Sequence, residues 1–295
     1  TDLNIFNQPQ GGVRVRVPLA VSKARVEEIR GEGFITDVWT VNDALTLETG
    51  LTFEASRITQ TGDQSKEREF SYPKPRITAT WAVDDSSQLR ASLQRDIAQL
   101  DFAEFSSTVD FINAASTQGN PDLVPEKAWK ARVEWETRFA QRGAITLALF
   151  HDEVQDVHDL VDISGADAYG NIGDGSRTGV EIKAALPLAF IGLPTAELRF
   201  NGLYQNTDVT DPKTGETRSF SGSPERQNSP SSSISLNAGN KDWAYVVNFR
   251  QELPELMSAW GAAVVQWSGR REYKRVEVID YDRTVPRVDL YWETT

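Results

Sequence analysis

The chain has 295 residues, a net charge of -12 and no cysteine. So acidic a chain lacks the basic patches that neutralise phosphates, which argues against nucleic acid as a partner. The absence of thiols removes disulfides, thiolate nucleophiles and zinc–thiolate sites. Apolar residues make up 39% and never form the run of ~20 that a membrane-spanning helix needs. Membrane-crossing strands, which alternate, remain open.

In chain order, strands are expected over 24–40, 44–59, 68–82, 88–97, 127–139, 144–157, 178–186, 195–205, 219–237, 243–251, 260–271 and 276–292. Their alternation is the main signal, because successive side chains on a strand point to opposite faces. Leu45, Leu47, Leu51 and Phe53 oppose Thr46, Glu48, Thr52 and Glu54. Trp129, Ala131, Val133 and Trp135 oppose Lys130, Arg132, Glu134 and Glu136; Ala196, Leu198 and Phe200 oppose Glu197, Arg199 and Asn201. One face is apolar and the other fully charged. Such strands either cover a soluble core or line a watery lumen with lipid outside.

Turn-forming residues mark short connections at 41–43, 83–87, 140–143 and 238–242, and longer polar stretches lie at 60–66, 99–125, 159–174 and 206–219. Tight turns at one end and long loops at the other are how outer-membrane barrels are built. Trp129 and Trp135 share a face roughly 20 Å apart, close to the spacing of the aromatic girdles that flank the lipid-facing band. The expected fold is therefore all-β: an antiparallel up-and-down transmembrane β-barrel, with about a dozen strands read along the chain.

Three segments carry a resemblance. Gly119-Asn120-Pro121-Asp122-Leu123-Val124-Pro125-Glu126-Lys127 closes a long loop and opens a strand. Asn171-Ile172-Gly173-Asp174-Gly175 leads into Gly179-Val180-Glu181, and Arg95-Asp96-Ile97 begins an arginine-led exit from a strand. In this order the segments resemble TonB-dependent outer-membrane receptors over nearly the whole chain. The residues also have a local reading: the prolines force extended neighbours and leave the ladder, and the glycines permit positive φ at a rim.

The resemblance implies a place in the outer membrane of a Gram-negative bacterium. It implies uptake of a scarce nutrient such as a ferric siderophore, driven by TonB acting on a plug domain of the same full-length chain. Neither a plug nor a TonB-box segment is read within residues 1–295, nor is a signal peptide, and the terminal aromatic residue of complete barrels is absent. The expectation is one barrel segment over 1–295, with its closing strands lying elsewhere. Gly119, Asn120, Pro121, Asp122, Leu123, Pro125, Glu126, Asn171, Gly173 and Gly179 are then structural motif residues. Ligand-facing candidates lie in 101–118, 159–169 and 208–218, with Phe102, Phe105, Phe111, Asp159, Asp167 and Tyr169 foremost. The implied partners are outer-membrane lipid, the plug, TonB and a small metal chelate.

Catalysis has no foothold. His151 and His158 are the only histidines, and their odd separation puts them on opposite faces of a continuous strand. Glu134 and Glu136 share a face with Lys130 and Arg132, as a charged lumen wall would. No catalytic residue, metal site or cofactor is expected. Two other readings compete: a plugless porin-like channel, and a soluble β-sandwich that binds carbohydrate.

Overall fold

The computed structural model of the protein describes residues 5–7, 12–13, 15–17, 23–110, 115–163, 165–221, 241–275, 277–281 and 285–294. Two short strands, β1 (Ile5–Asn7) and β2 (Val15–Val17), pair with each other. The wall begins with β3 (Ala24–Asn42), β4 (Leu45–Gly62), β5 (Lys66–Ala82) and β6 (Ser87–Ile97). A small ribbon, β7 (Thr108–Asp110) with β8 (Ala115–Thr117), precedes β9 (Lys127–Phe139) and β10 (Gly143–Gln155). The hairpin β11 (His158–Ile163) and β12 (Ala166–Asn171) leads to β13 (Gly175–Pro187), β14 (Ala196–Thr210) and the short β15 (Thr217–Arg218). Then come β16 (Trp243–Leu253), β17 (Ser258–Trp267), the hairpin β18 (Arg270–Tyr273) and β19 (Val278–Tyr281), and β20 (Arg287–Thr294).

The wall strands β3, β4, β5, β6, β9, β10, β13, β14, β16, β17 and β20 pair antiparallel with their neighbours in chain order, and β15 adds to β14. The sheet is an open meander whose edges are β3 and β20. Most of the expected strands are present, but two differ. β14 pairs directly with β16, so no wall strand stands between them where 219–237 was expected; most of that stretch lies outside the described residues. The expected 276–292 strand is split into the hairpin strand β19 and the wall strand β20, with Pro286 immediately before the wall segment.

Tight turns occupy one end of the wall. Asn42 accepts hydrogen bonds from the Ala44 and Leu45 N–H groups, both at 2.9 Å. Asp84 accepts from the Ser86 N–H and hydroxyl, each at 2.7 Å. Ala140 and Gln141 have φ of 48° and 62°, the left-handed pair that matches the twist of a tight hairpin. The other two turns at this end hold short 3-10 segments, Ala189–Ile191 and Pro254–Leu256. The opposite end carries the connections 98–126, 156–174, 211–242 and 268–286. The β4–β5 link at that end is tight rather than long, because the strands run on to Gly62 and resume at Lys66. Of the turn expected at 238–242, Lys241 and Asp242 lie at this loop end, where the Asp242 carbonyl accepts the Gln205 N–H at 2.7 Å; the rest lies outside the described residues.

The register joins the alternating residues into two continuous faces. Leu51, Ile77, Leu93, Val133, Leu149, Val180 and Val247 lie on the outward face, and most of these large side chains are exposed; Leu149 keeps 58% of its surface. Trp260 stands opposite Trp292 close to the tight turn after β16. Trp129 stands opposite Glu153 near the loop end, where the outward face turns polar. At that border His151 pairs with Glu153, and beyond it Arg57 pairs with Glu69.

The inward face holds interleaved charges. Lys74 bridges Glu32 at 2.6 Å and Glu54 at 2.7 Å. Arg132 reaches Glu181 at 2.6 Å and Glu134 at 3.1 Å. Arg76 meets Glu48 at 2.6 Å and Arg250 meets Glu293 at 2.6 Å. Among the described residues no helix is long and apolar enough to cross a membrane.

Candidate ligand vestibule

The loops build the site, and their first element is a small core above the wall. In the connection 98–126, Asp101 accepts the Ala103 N–H at 2.9 Å and caps the 3-10 turn Phe102–Phe105. That turn drives Phe105 inward, where it packs with Ile58, Leu100 and Leu123. Phe105 is 1% exposed and Leu123 fully buried. Gly119 makes this possible: a Cβ there would sit 2.5 Å from the Phe105 carbonyl oxygen. A second cluster joins Val154 and Val157 to Ile172, Val209 and Phe220.

Two asparagines of the motif segments then staple neighbouring loops. The Asn120 side chain donates to the Tyr169 carbonyl at 2.9 Å and accepts from the Asp122 N–H at 2.9 Å. Asn171 accepts from the Val124 N–H and donates to the Val124 and Asp156 carbonyls, all at 2.9 Å. Glu126 accepts the His158 N–H at 3.0 Å. Asp122 forms an ion pair with Lys66. Pro121 and Pro125 flank this turn, and β9 resumes at Lys127. Gly173, at φ 122°, turns its carbonyl to the Val157 N–H at 2.7 Å. Gly179 leaves room for the Phe150 ring across the ladder.

The remaining contacts are ionic. The His158 imidazole lies 3.0 Å from the Glu104 carboxylate with both side chains 7% exposed, and its ring meets Tyr169 edge-on. His158 starts the β11 hairpin and His151 lies on β10, so the two do not share one continuous strand. Arg218 sits between Asp159 at 2.9 Å and Asp211 at 2.8 Å, over the Tyr273 ring at 4.2 Å. Burial works against ionisation of Asp211, yet hydrogen bonds from Arg218 and the Lys213 and Thr214 N–H groups outweigh it and hold the carboxyl below its usual range.

These loops enclose a cleft of about 750 Å3. Leu160 and Val161 form one side, residues of the 211–218 segment the second, and Tyr273 with Arg275, Glu277 and Val278 the third. Lys213 donates to the Arg275 carbonyl at 2.9 Å across its mouth. Leu160, Val161 and Val278 give it apolar patches, but eight of its fifteen lining residues are charged, so it suits a small ligand that carries charge of its own. Among the described residues, no group of three or more His, Asp or Glu side chains could hold a metal ion.

The ligand-facing candidates separate in this geometry. Phe102 keeps 38% of its surface open. Asp167 accepts the Arg275 N–H at 2.6 Å and Tyr169 is held by Asn120 and His158, so both sit within loop–loop contacts. Phe105 and Asp159 are buried among structural partners and face no open space. Phe111 lies outside the described residues. The segment 208–218 does supply one wall of the cleft, whereas Tyr273 and Arg275 were missed because a four-residue hairpin strand leaves no periodic signal.

The model of the TonB dependent receptor-like β-barrel family matches residues 2–292. Comparison with curated proteins finds no match. Among solved structures, the FrpB iron transporter of Neisseria meningitidis is similar with a TM-score of 0.63 at 12% identity, over 90% of this chain and 38% of its own. The copper transporter OprC gives 0.62 at 12% identity, over 96% and 40%. The ferric citrate transporter FecA gives 0.60 at 13%, over 84% and 33%. The chain thus spans well under half the length of these structures. With the family match, the lipid-suited outer face and the charged inner face in agreement, this chain belongs to the TonB-dependent receptor-like β-barrel family of Gram-negative outer membranes.

Proposed function

We propose that this chain forms wall and outer vestibule of a receptor that carries a scarce nutrient, such as a ferric siderophore or another metal chelate, across the outer membrane. The observation that carries this reading is the pairing of an apolar outward band with a preassembled loop cap, which holds an open cleft above a charged lumen. The similar structures are iron and copper transporters by name. The wall is one segment of a larger barrel, and a plug domain of the same full-length chain would fill its lumen. TonB would act on that plug, and lipid would cover the outward face. A receptor of this kind transports and does no covalent chemistry.

The test is uptake by cells of the native host starved of iron or copper, supplied in turn with labelled chelates. One chelate should enter only when both the full-length gene and TonB are intact. Entry that persists without TonB would establish a passive channel instead. Entry of every chelate after deletion of the gene would sink the transport reading.

A further inference from the structure

Three connections that are far apart in sequence meet on one side chain. Arg218 is 8% exposed, and its guanidinium reaches Asp159 of the 156–174 connection, whose side chain is 1% exposed. It also reaches Asp211 of its own connection and covers the Tyr273 ring of the 268–286 connection. The backbone repeats the arrangement. The Ser221 N–H donates to Asp159 at 2.7 Å, and the Tyr273 N–H donates to the Ser221 hydroxyl at 3.0 Å. The Ser219 and Tyr273 hydroxyls meet at 3.1 Å.

We propose that Arg218 is a positioning residue that locks these three loops into one cooperative body, so that the cleft they line is formed before any ligand arrives. The physical reason is the depth of the charge. Removing one partner of a buried, hydrogen-bonded ion pair strands the other charge in a poor dielectric, and the surrounding segments must open to rehydrate it. Asp159 is the buried partner contributed by a different loop, so its loss must be felt across loop boundaries. Asp211 is more open to water and belongs to the same connection as Arg218, so its loss stays local. Arg218, Asp211 and Tyr273 all line the cleft, and loosening the lock changes the cleft's shape.

The experiment is hydrogen exchange read by mass spectrometry on the full-length protein purified in detergent; it needs no ligand, and its outcome is independent of what is transported. Asp159→Asn should raise exchange at least about tenfold in 158–163 and also in 219–221 and 270–273, with the wall strands β9 and β10 unchanged. Asp211→Asn should raise it only within 211–218. Arg218→Met should reproduce the wide pattern; should it disturb the wall itself, Arg218→Lys asks the same question, since it keeps the charge but loses the two-pronged fork. Exchange that rises only in 158–163 after Asp159→Asn would overturn the proposal. So would identical patterns for the two aspartate variants.

Discussion

The wall and the loop cap obey opposite burial rules. In the wall, Leu149, Val133 and Ile77 are large, apolar and exposed on the outward face. In the cap, Phe105, Leu123, Val157 and Val209 are almost fully buried, in clusters of the kind that water-soluble domains use. The lesson is that exposure depends on both face and height. On β4, Ile58 points inward at the loop end and is core, while Leu51, an odd seven positions earlier, points outward from the wall and is exposed.

The sharpest way to break this comparison is to empty the cap core. Phe105→Ala should cost about 3–5 kcal/mol of cap stability through lost burial and the cavity left behind. Native-state hydrogen exchange should show residues 98–126 opening while the wall stays protected. If the wall unfolds with the cap, the two are one cooperative unit and the contrast drawn above fails.

The wall has its own reversal test. Leu149→Arg places a charge on the lipid face and should cost about 2–4 kcal/mol near the bilayer midplane. Asn201→Arg, on the inward face beside Lys183 in the register, should cost less than about 1 kcal/mol. Urea titration of folding into lipid vesicles measures both. Equal costs would mean that the two faces do not differ, and a reversed order would mean that they have been exchanged.

The wall was legible in the sequence because period-two alternation is dictated locally: Trp129 through Glu136 sort themselves whatever the rest of the chain does. The cap was legible only in part. Asn120 and Asn171 could be recognised as loop-to-strand residues from their prolines and glycines, but not as staples, since their partners Tyr169 and Val124 are far away in sequence. Phe105 and Asp159 were expected to face a ligand because aromatic and acidic loop residues so often do. Packing on Leu123 and pairing with Arg218 are tertiary facts that no local pattern carries. The strand expected at 219–237 has no place in the wall, because β14 pairs directly with β16, and most of that stretch lies outside the described residues.

The staples give a third, smaller effect. Asn171→Ala strips the Val124 and Asp156 carbonyls and the Val124 N–H of one shared partner. A loss of about 1–3 kcal/mol in local opening is expected, since buried backbone groups would be left unmet. Exchange at the Val124 amide reports it directly. An unchanged rate would mean that water replaces the side chain and that the staple contributes nothing.

The smallest effect separates the cap's own interactions by pH. Asp211 and Asp280 are both held below the ordinary carboxyl value of 3.8, the latter chiefly by its hydrogen bonds with Arg271. A lowered carboxyl contributes stability that is fully present above its unfolded value and is lost as pH falls through its folded value. Acidification from pH 7 to pH 5 should therefore leave the 211–218 loop and the β18–β19 hairpin as closed as before. Loosening should begin only beneath the usual carboxylate range. For Asp211 the contribution is below about 1 kcal/mol, because water screens the outer side of its pair with Arg218. Exchange in 211–218 followed from pH 7 to pH 3, corrected for intrinsic rates, tests the sign. A loop that opens well above the usual carboxylate range would mean that Asp211 does not control it.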